Sequence, residues 1–280
     1  MMERDSSTRQ RFAAIVSKAD EAMNLAEAAL LIAQERYPDL DIGAYLGRLD
    51  RMADGVGKRL WGKDDPHSRL EALKRYLFDS LGFRGNVEEY DDPRNSFLNE
   101  VLDRRTGIPI SLSVVYLEVG WRMGLPLQGV GFPGHFLVKY VDSNGEIVID
   151  PFGRGEALTV EDCQSRLDRV YGGRLQFQPS FLAAVAKRQI LTRMLTNLKG
   201  IYLAAGDHKR ALAAVERILV IDPALAPEIR DRGILRMQLD QTAPAIADLE
   251  RYVTMAPQAD DVEQVRRRLR DCRQAQASLN

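Results

Sequence analysis

Apolar positions in the first hundred residues recur at intervals of three and four, the period of helices with one buried face. Phe12, Ile15, Val16, Ala19, Met23, Ala26 and Leu30 predict a single helix over 11–37, ended by Pro38, which cannot donate to the ladder. Tyr45, Leu46, Leu49, Met52 and Val56 predict a second helix. Leu70, Leu73, Leu77 and Phe78 predict a third, opened by Asp65-Pro66. Glycine content marks 81–86 as a loop.

The middle of the chain changes period. A strongly apolar helix is predicted over 108–123, opened by Gly107 with Pro109 in its first turn and closed at Gly124. After Pro126 the pattern becomes that of strands: a short one over 127–132, then Phe136, Val138 and Tyr140 alternating with His135, Leu137 and Lys139. Asp142-Ser143-Asn144-Gly145 is a hairpin turn signal. The chain returns over 146–150, with Ile147 and Ile149 on one face, and Pro151 stops it.

From Leu191 onward the helical period resumes and the sequence repeats. Ala211 and Ala245, and likewise Pro223 and Pro257, are 34 residues apart. Leu198, Tyr202, Ala211, Val215, Ile218 and Pro223 fall at tetratricopeptide spacing, as do Gly233, Ala245, Leu249 and Pro257 in a second copy. The small residues mark where the two helices of a repeat touch. Two copies are fewer than the roughly three that stand alone, so they are expected to lean on the preceding domain and on a terminal helix over 262–274.

Composition narrows the function classes. Two domains are the natural reading of 280 residues with 45% hydrophobic side chains. The 39 basic side chains balance 40 acidic ones, so the uniform attraction to phosphate that nucleic-acid binding leans on is missing. The longest apolar run, 28–33, is far short of the roughly 20 residues that cross a bilayer. Met-Met-Glu-Arg-Asp-Ser-Ser-Thr is not followed by an export-type apolar stretch. A cytoplasmic protein with reduced thiols, no membrane association and no nucleic-acid partner is therefore expected. His67, His135 and His208 lie in separate segments, and neither Cys163 nor Cys272 has a partner at ligand spacing, so no metal or cofactor is expected.

One geometric inference reaches chemistry. A four-residue hairpin turn pairs Val141 with Glu146, and hence Leu137 with Asp150. His135, two residues from Leu137, then shares a face with Asp150 on the diagonal, about 7–8 Å away and within reach of a hydrogen bond in a twisted sheet. A tighter turn on Asn144-Gly145 keeps that parity but moves the pair apart; a one-residue slip puts them on opposite faces. An imidazole oriented by a carboxylate is the base-and-orienter half of a triad.

Gly107-Ile108-Pro109-Ile110-Ser111-Leu112-Ser113, Gly124-Leu125-Pro126, Pro133-Gly134-His135-Phe136 and Ile149-Asp150-Pro151-Phe152 together resemble the transglutaminase-like core. More narrowly they resemble the bacterial SirB-type (invasion regulator B) family, whose lead-in is similar to 91–102 and whose members commonly carry C-terminal tetratricopeptide repeats. The resemblance implies a cysteine at the start of the core helix, with a histidine and an aspartate on the next strands. His135 and Asp150 match the latter two, but the helix opens on Pro109, Ile110 and Ser111. A serine hydroxyl is far less acidic than a thiol and needs an aligned base and an oxyanion hole.

Each candidate also has a plain structural reading. Ser111 can satisfy a local backbone group in the first turn of a buried helix. His135 can be a structural histidine bound to Asp150, and Asp150 can simply shape the end of its strand. The stretch 129–134 is glycine-rich but has no following helix, so it does not read as a phosphate cradle. Tyr116 and Trp121 read as packing. The acidic run Glu88-Glu89-Tyr90-Asp91-Asp92 reads as a solvated loop that could overhang the pocket. The expected architecture is α+β: a helical lead-in and transglutaminase-like core over 1–180, and helical repeats over 181–280. The leading functional expectation is a non-catalytic regulatory or scaffolding protein that binds a protein or peptide through its cleft and repeats. The alternative is a serine-dependent hydrolase or acyl transferase using Ser111, His135 and Asp150.

Overall fold

The computed structural model describes residues 2–60, 65–143 and 145–277. The chain divides into two compact units, Met1–Met194 and Leu195–Asn280. The first opens with helices α1 (Met2–Val16), α2 (Leu25–Gln34), α3 (Ile42–Gly57) and α4 (Pro66–Lys74), the last running on into a π-helical turn over Arg75–Ser80. The single helix expected over 11–37 is thus two. Residues 17–24 separate them, and Asn24 opens the second: its side chain accepts from the Glu27 amide, a local bond that fixes a new helix start. Asp41 and Asp65 cap α3 and α4 in the same way. Leu49, Met52 and Val56 of α3, and Leu70, Leu73, Leu77 and Phe78 beyond it, are buried as their spacing requires.

The stretch read as a loop contains a short strand, β1 (Arg84–Gly85), parallel to β2 (Thr106–Gly107), with helix α5 (Leu98–Arg104) between them. Gly107 then leads into α6 (Pro109–Arg122), in which Pro109 through Gly120 are all buried. A charged residue inside such a helix needs a reason. Glu118 accepts the amide of Ala26 at 2.8 Å, satisfying an orphan donor at the start of α2, and pairs with Arg122.

The sheet is built from β3 (Leu127–Val130), β4 (Leu137–Asp142), β5 (Gly145–Asp150), β6 (Glu156–Leu158) and β7 (Ala184–Val185), antiparallel throughout, in the order β6-β5-β4-β3-β7. Val141 pairs with Glu146, the expected register; Asn144 of the turn signal lies outside the described residues. Helix α7 (Val160–Tyr171) covers one face, where Val130, Phe132, Leu137 and Val148 meet Cys163 and Leu167. Each such fully buried aliphatic side chain contributes about 2 kcal/mol. The face of Leu127, Val138 and Tyr140 carries α6; a side chain at Gly120 would come within 2.2 Å of Leu127. Both faces being covered, β4 is apolar at successive positions and its period of two is muted.

Helix α8 (Lys187–Ala204) contains the division between the units. In the second unit α9 (His208–Ile221), α10 (Ala226–Gln238), α11 (Thr242–Met255) and α12 (Val262–Ala277) follow as antiparallel-type helical repeats. Ala211 and Ala245 are fully buried, and a Cβ on Gly233 would stand 2.7 Å from Leu249 of α11, so the helices cross on small residues. Asp248 in that crossing is nearly fully buried between Arg232 and Arg236, at 2.6 and 2.8 Å. Among the described residues no helix is long and apolar enough to cross a membrane.

Candidate functional site

His135 does not belong to β4 proper but closes the turn that precedes it. Its amide donates to the Phe132 carbonyl at 3.0 Å. Pro133 and Gly134 occupy the corner, with Gly134 at φ 70°, the conformation that a proline–glycine turn of type II demands. The glycine-rich segment is therefore the device that aims the imidazole. A side chain at Gly134 would also strike Val170 of α7 at 2.9 Å.

Asp150 ends β5. Its Oδ1 accepts from His135 Nε2 at 2.9 Å and from the Phe152 amide at 3.0 Å, a local turn that the following Pro151 and Gly153 complete. A Cβ on Gly153 would approach Oδ2 to 2.9 Å, so the backbone folds tightly around the carboxylate. The carboxylate is fully enclosed, whereas 14% of the His135 side chain remains exposed. Sequence spacing thus brought the pair together correctly.

It missed a third member. Arg166, from α7, places Nη2 2.7 Å from Asp150 Oδ2, an ion pair whose N–H is out of line for a full hydrogen bond. Burial pushes the Asp150 carboxyl up. The His135 hydrogen bond, the Arg166 charge and the Gly153 amide outweigh that push and hold it below the ordinary value of 3.8. Because Asp150 is ionised and accepts from Nε2, that nitrogen carries the ring proton in the neutral imidazole. Nδ1 is then a lone-pair acceptor, and no group among the described residues hydrogen-bonds to it. Only α7, sixteen residues downstream and carrying no motif of its own, could have revealed Arg166.

Ser111 lies in the first turn of α6 and is fully buried. Its hydroxyl donates to the Asn95 carbonyl at 2.6 Å and accepts the Ile108 amide at 3.1 Å. Among the described residues no hydrogen bond joins Ser111 to His135. Gly107 must be glycine here, since a Cβ would stand 2.6 Å from the Ser111 hydroxyl. Asn95, also fully buried, donates to the carbonyls of Glu89 and Tyr90 and accepts from Asn86, tying the acidic loop to the head of α6.

The two centres are connected through Phe152. Its ring meets His135 edge-on at 5.9 Å and Tyr90 at 6.3 Å. It lies so close over Gly85 that a Cβ there would come within 2.5 Å, and Gly85 pairs with Gly107 ahead of α6. The acidic loop therefore reaches the histidine through Phe152, with Tyr90 as its inner edge. Cys163 is no substitute nucleophile: it is a buried thiol of the core beneath the sheet, and burial pushes its pKa above the usual thiol value. Among the described residues no cluster of His, Cys, Asp and Glu could hold a metal ion.

The family model of the transglutaminase-like superfamily matches residues 43–196, and that of the tetratricopeptide repeat matches 198–270. A UPF0162 protein of Xylella fastidiosa (strain Temecula1 / ATCC 700964) is 39% identical over 259 residues, covering 90% of this chain and 91% of its own length. A UPF0162 protein of Pseudomonas aeruginosa is 33% identical over 248 residues, covering 89% of this chain and 90% of its own. The similarity also reaches the F-box only protein 21 of Mus musculus, 36% identical over 137 residues, 46% of this chain and 21% of that protein.

Proposed function

The chain belongs to the transglutaminase-like superfamily, and from that premise we propose that it is a non-catalytic member that binds a protein or peptide at the His135 cleft. The carrying observation is the state of Ser111. Its hydrogen is committed to the Asn95 carbonyl and its oxygen is enclosed, while His135 keeps its orienting carboxylate and one open acceptor nitrogen. A nucleophile that must break two buried bonds before meeting its base gains little from that base. A held imidazole with a free lone pair suits recognition of an N–H or O–H donor on a bound chain. The motif set further supports a SirB-type affiliation and a regulatory or scaffolding role. The tetratricopeptide helices supply a second surface for the same partner.

A fluorophosphonate probe of serine nucleophiles, applied to the folded full-length protein, should leave Ser111 unlabelled. Capture of partners from the native host should be lost in His135→Ala and retained in Ser111→Ala. Labelling that disappears in Ser111→Ala would establish the hydrolase or acyl-transferase alternative instead. Partner capture unchanged in His135→Ala would remove the cleft from the proposal.

A further inference from the structure

Three of the seven most exposed large apolar side chains among the described residues lie on the acidic loop and α7, the two elements that reach His135 through Phe152 and Gly134. Tyr90 is 44% exposed and touches Phe152, the ring that faces His135. Val170 is 55% exposed and lies against Gly134, the residue before His135. Val87, 76% exposed, is two residues beyond Gly85, on which Phe152 rests. Exposed apolar side chains on two separate elements, the acidic loop and α7, thus flank the His135–Asp150 pair.

The rim is also charged on one side. Asp92 is occupied by Arg94, with Arg104 near it. Glu88, Glu89 and Asp91 are exposed and make no ion pair among the described residues. Arg193 is the neighbouring cation whose charge reaches the Tyr90 hydroxyl. The loop is not loose: Asn95 and Asn86 pin its backbone, so three carboxylates are held beside an apolar ledge.

Building on the binding role proposed above, we infer that the occupant of this rim is a basic peptide segment with an apolar or aromatic anchor. The anchor packs on Tyr90, Phe152 and Val170, and flanking lysines or arginines face Glu88, Glu89 and Asp91. A backbone or side-chain N–H of the peptide donates to His135 Nδ1. The anchor supplies desolvation, and the carboxylates supply the choice of partner and its rate of encounter.

The test uses the full-length protein and a fluorescein-labelled peptide bearing Leu-Phe between lysine pairs, followed by anisotropy. Controls replace the lysines by glutamates or the Leu-Phe by alanines. The lysine-flanked probe should bind, weaken steeply with added salt, and lose about tenfold or more in affinity against Tyr90→Ala or a Glu88→Lys/Glu89→Lys/Asp91→Lys triple variant. Both changes are on exposed positions, and circular dichroism checks that each variant melts like the parent. No binding of the lysine probe, equal binding of the glutamate probe, or affinities within twofold in both variants would overturn the inference. Selection of a random phage-displayed peptide library on the same protein separates the two claims. Peptides that need His135 but are indifferent to Tyr90 and the loop charges leave the binding role standing and sink only the basic, anchored partner.

Discussion

The head of α6 and the end of β5 hold two buried polar knots of similar size and opposite character. Around Ser111 the hydrogen bonds are mostly to backbone: the Ser111 hydroxyl, the Ile108 amide and the Asn95 side chain close on one another and on the loop carbonyls. Around Asp150 the carboxylate is equally enclosed, but one of its partners is an imidazole whose far nitrogen opens outward. The first arrangement does what a cap does, fixing where a helix starts and where a loop hangs. The second uses a buried charge to hold a ring in one orientation, the feature on which the proposed binding role rests. Family membership alone would have assigned the two positions equal weight.

Asp150→Ala is the strongest way to break the comparison. It strands Arg166 beside a buried cavity and should cost about 3–5 kcal/mol in denaturant unfolding; a loss below about 1 kcal/mol would mean the knot does not hold the fold. Acid probes the same group reversibly. Because Asp150 titrates below 3.8 when folded, its contribution is complete above the unfolded value and is lost as pH falls through the lower folded one. The acid limb of the stability curve should therefore be flatter in a destabilised but folded Asp150→Asn than in the parent.

Ser111→Ala sharpens the contrast from the other side. It removes one neutral buried hydroxyl, leaves the Ile108 amide unpaired, and should cost about 1–2 kcal/mol with peptide affinity unchanged. His135→Ala leaves the enclosed Asp150 carboxylate one hydrogen bond short and should cost about 1–3 kcal/mol in stability, but together with a tenfold or greater loss of binding. Thermal melts and anisotropy on the same preparations read both quantities. If the two variants behave alike, the distinction between cap and recognition element fails.

Much of this was legible beforehand. Parity in the β4–β5 hairpin set His135 beside Asp150 because side chains in a ladder alternate strictly, and the burial of one face penalises a slipped register. The 34-residue recurrence of Ala211 and Ala245 marked the helix crossings because only small side chains fit there. What sequence hid was of two kinds. Asn24 opening a second helix within a long apolar period is a local bond that periodicity averages away. Arg166 and Asn95 act across sixteen residues each, on Asp150 and Ser111, through tertiary placement that no spacing rule encodes.

The outer strands of the sheet are its shortest members, three residues in β6 and two in β7. Such stubs offer a visiting chain almost no free backbone to zip onto. The ledge proposed as a docking surface can thus stay uncovered without also seeding ribbon growth at the flanks of the sheet.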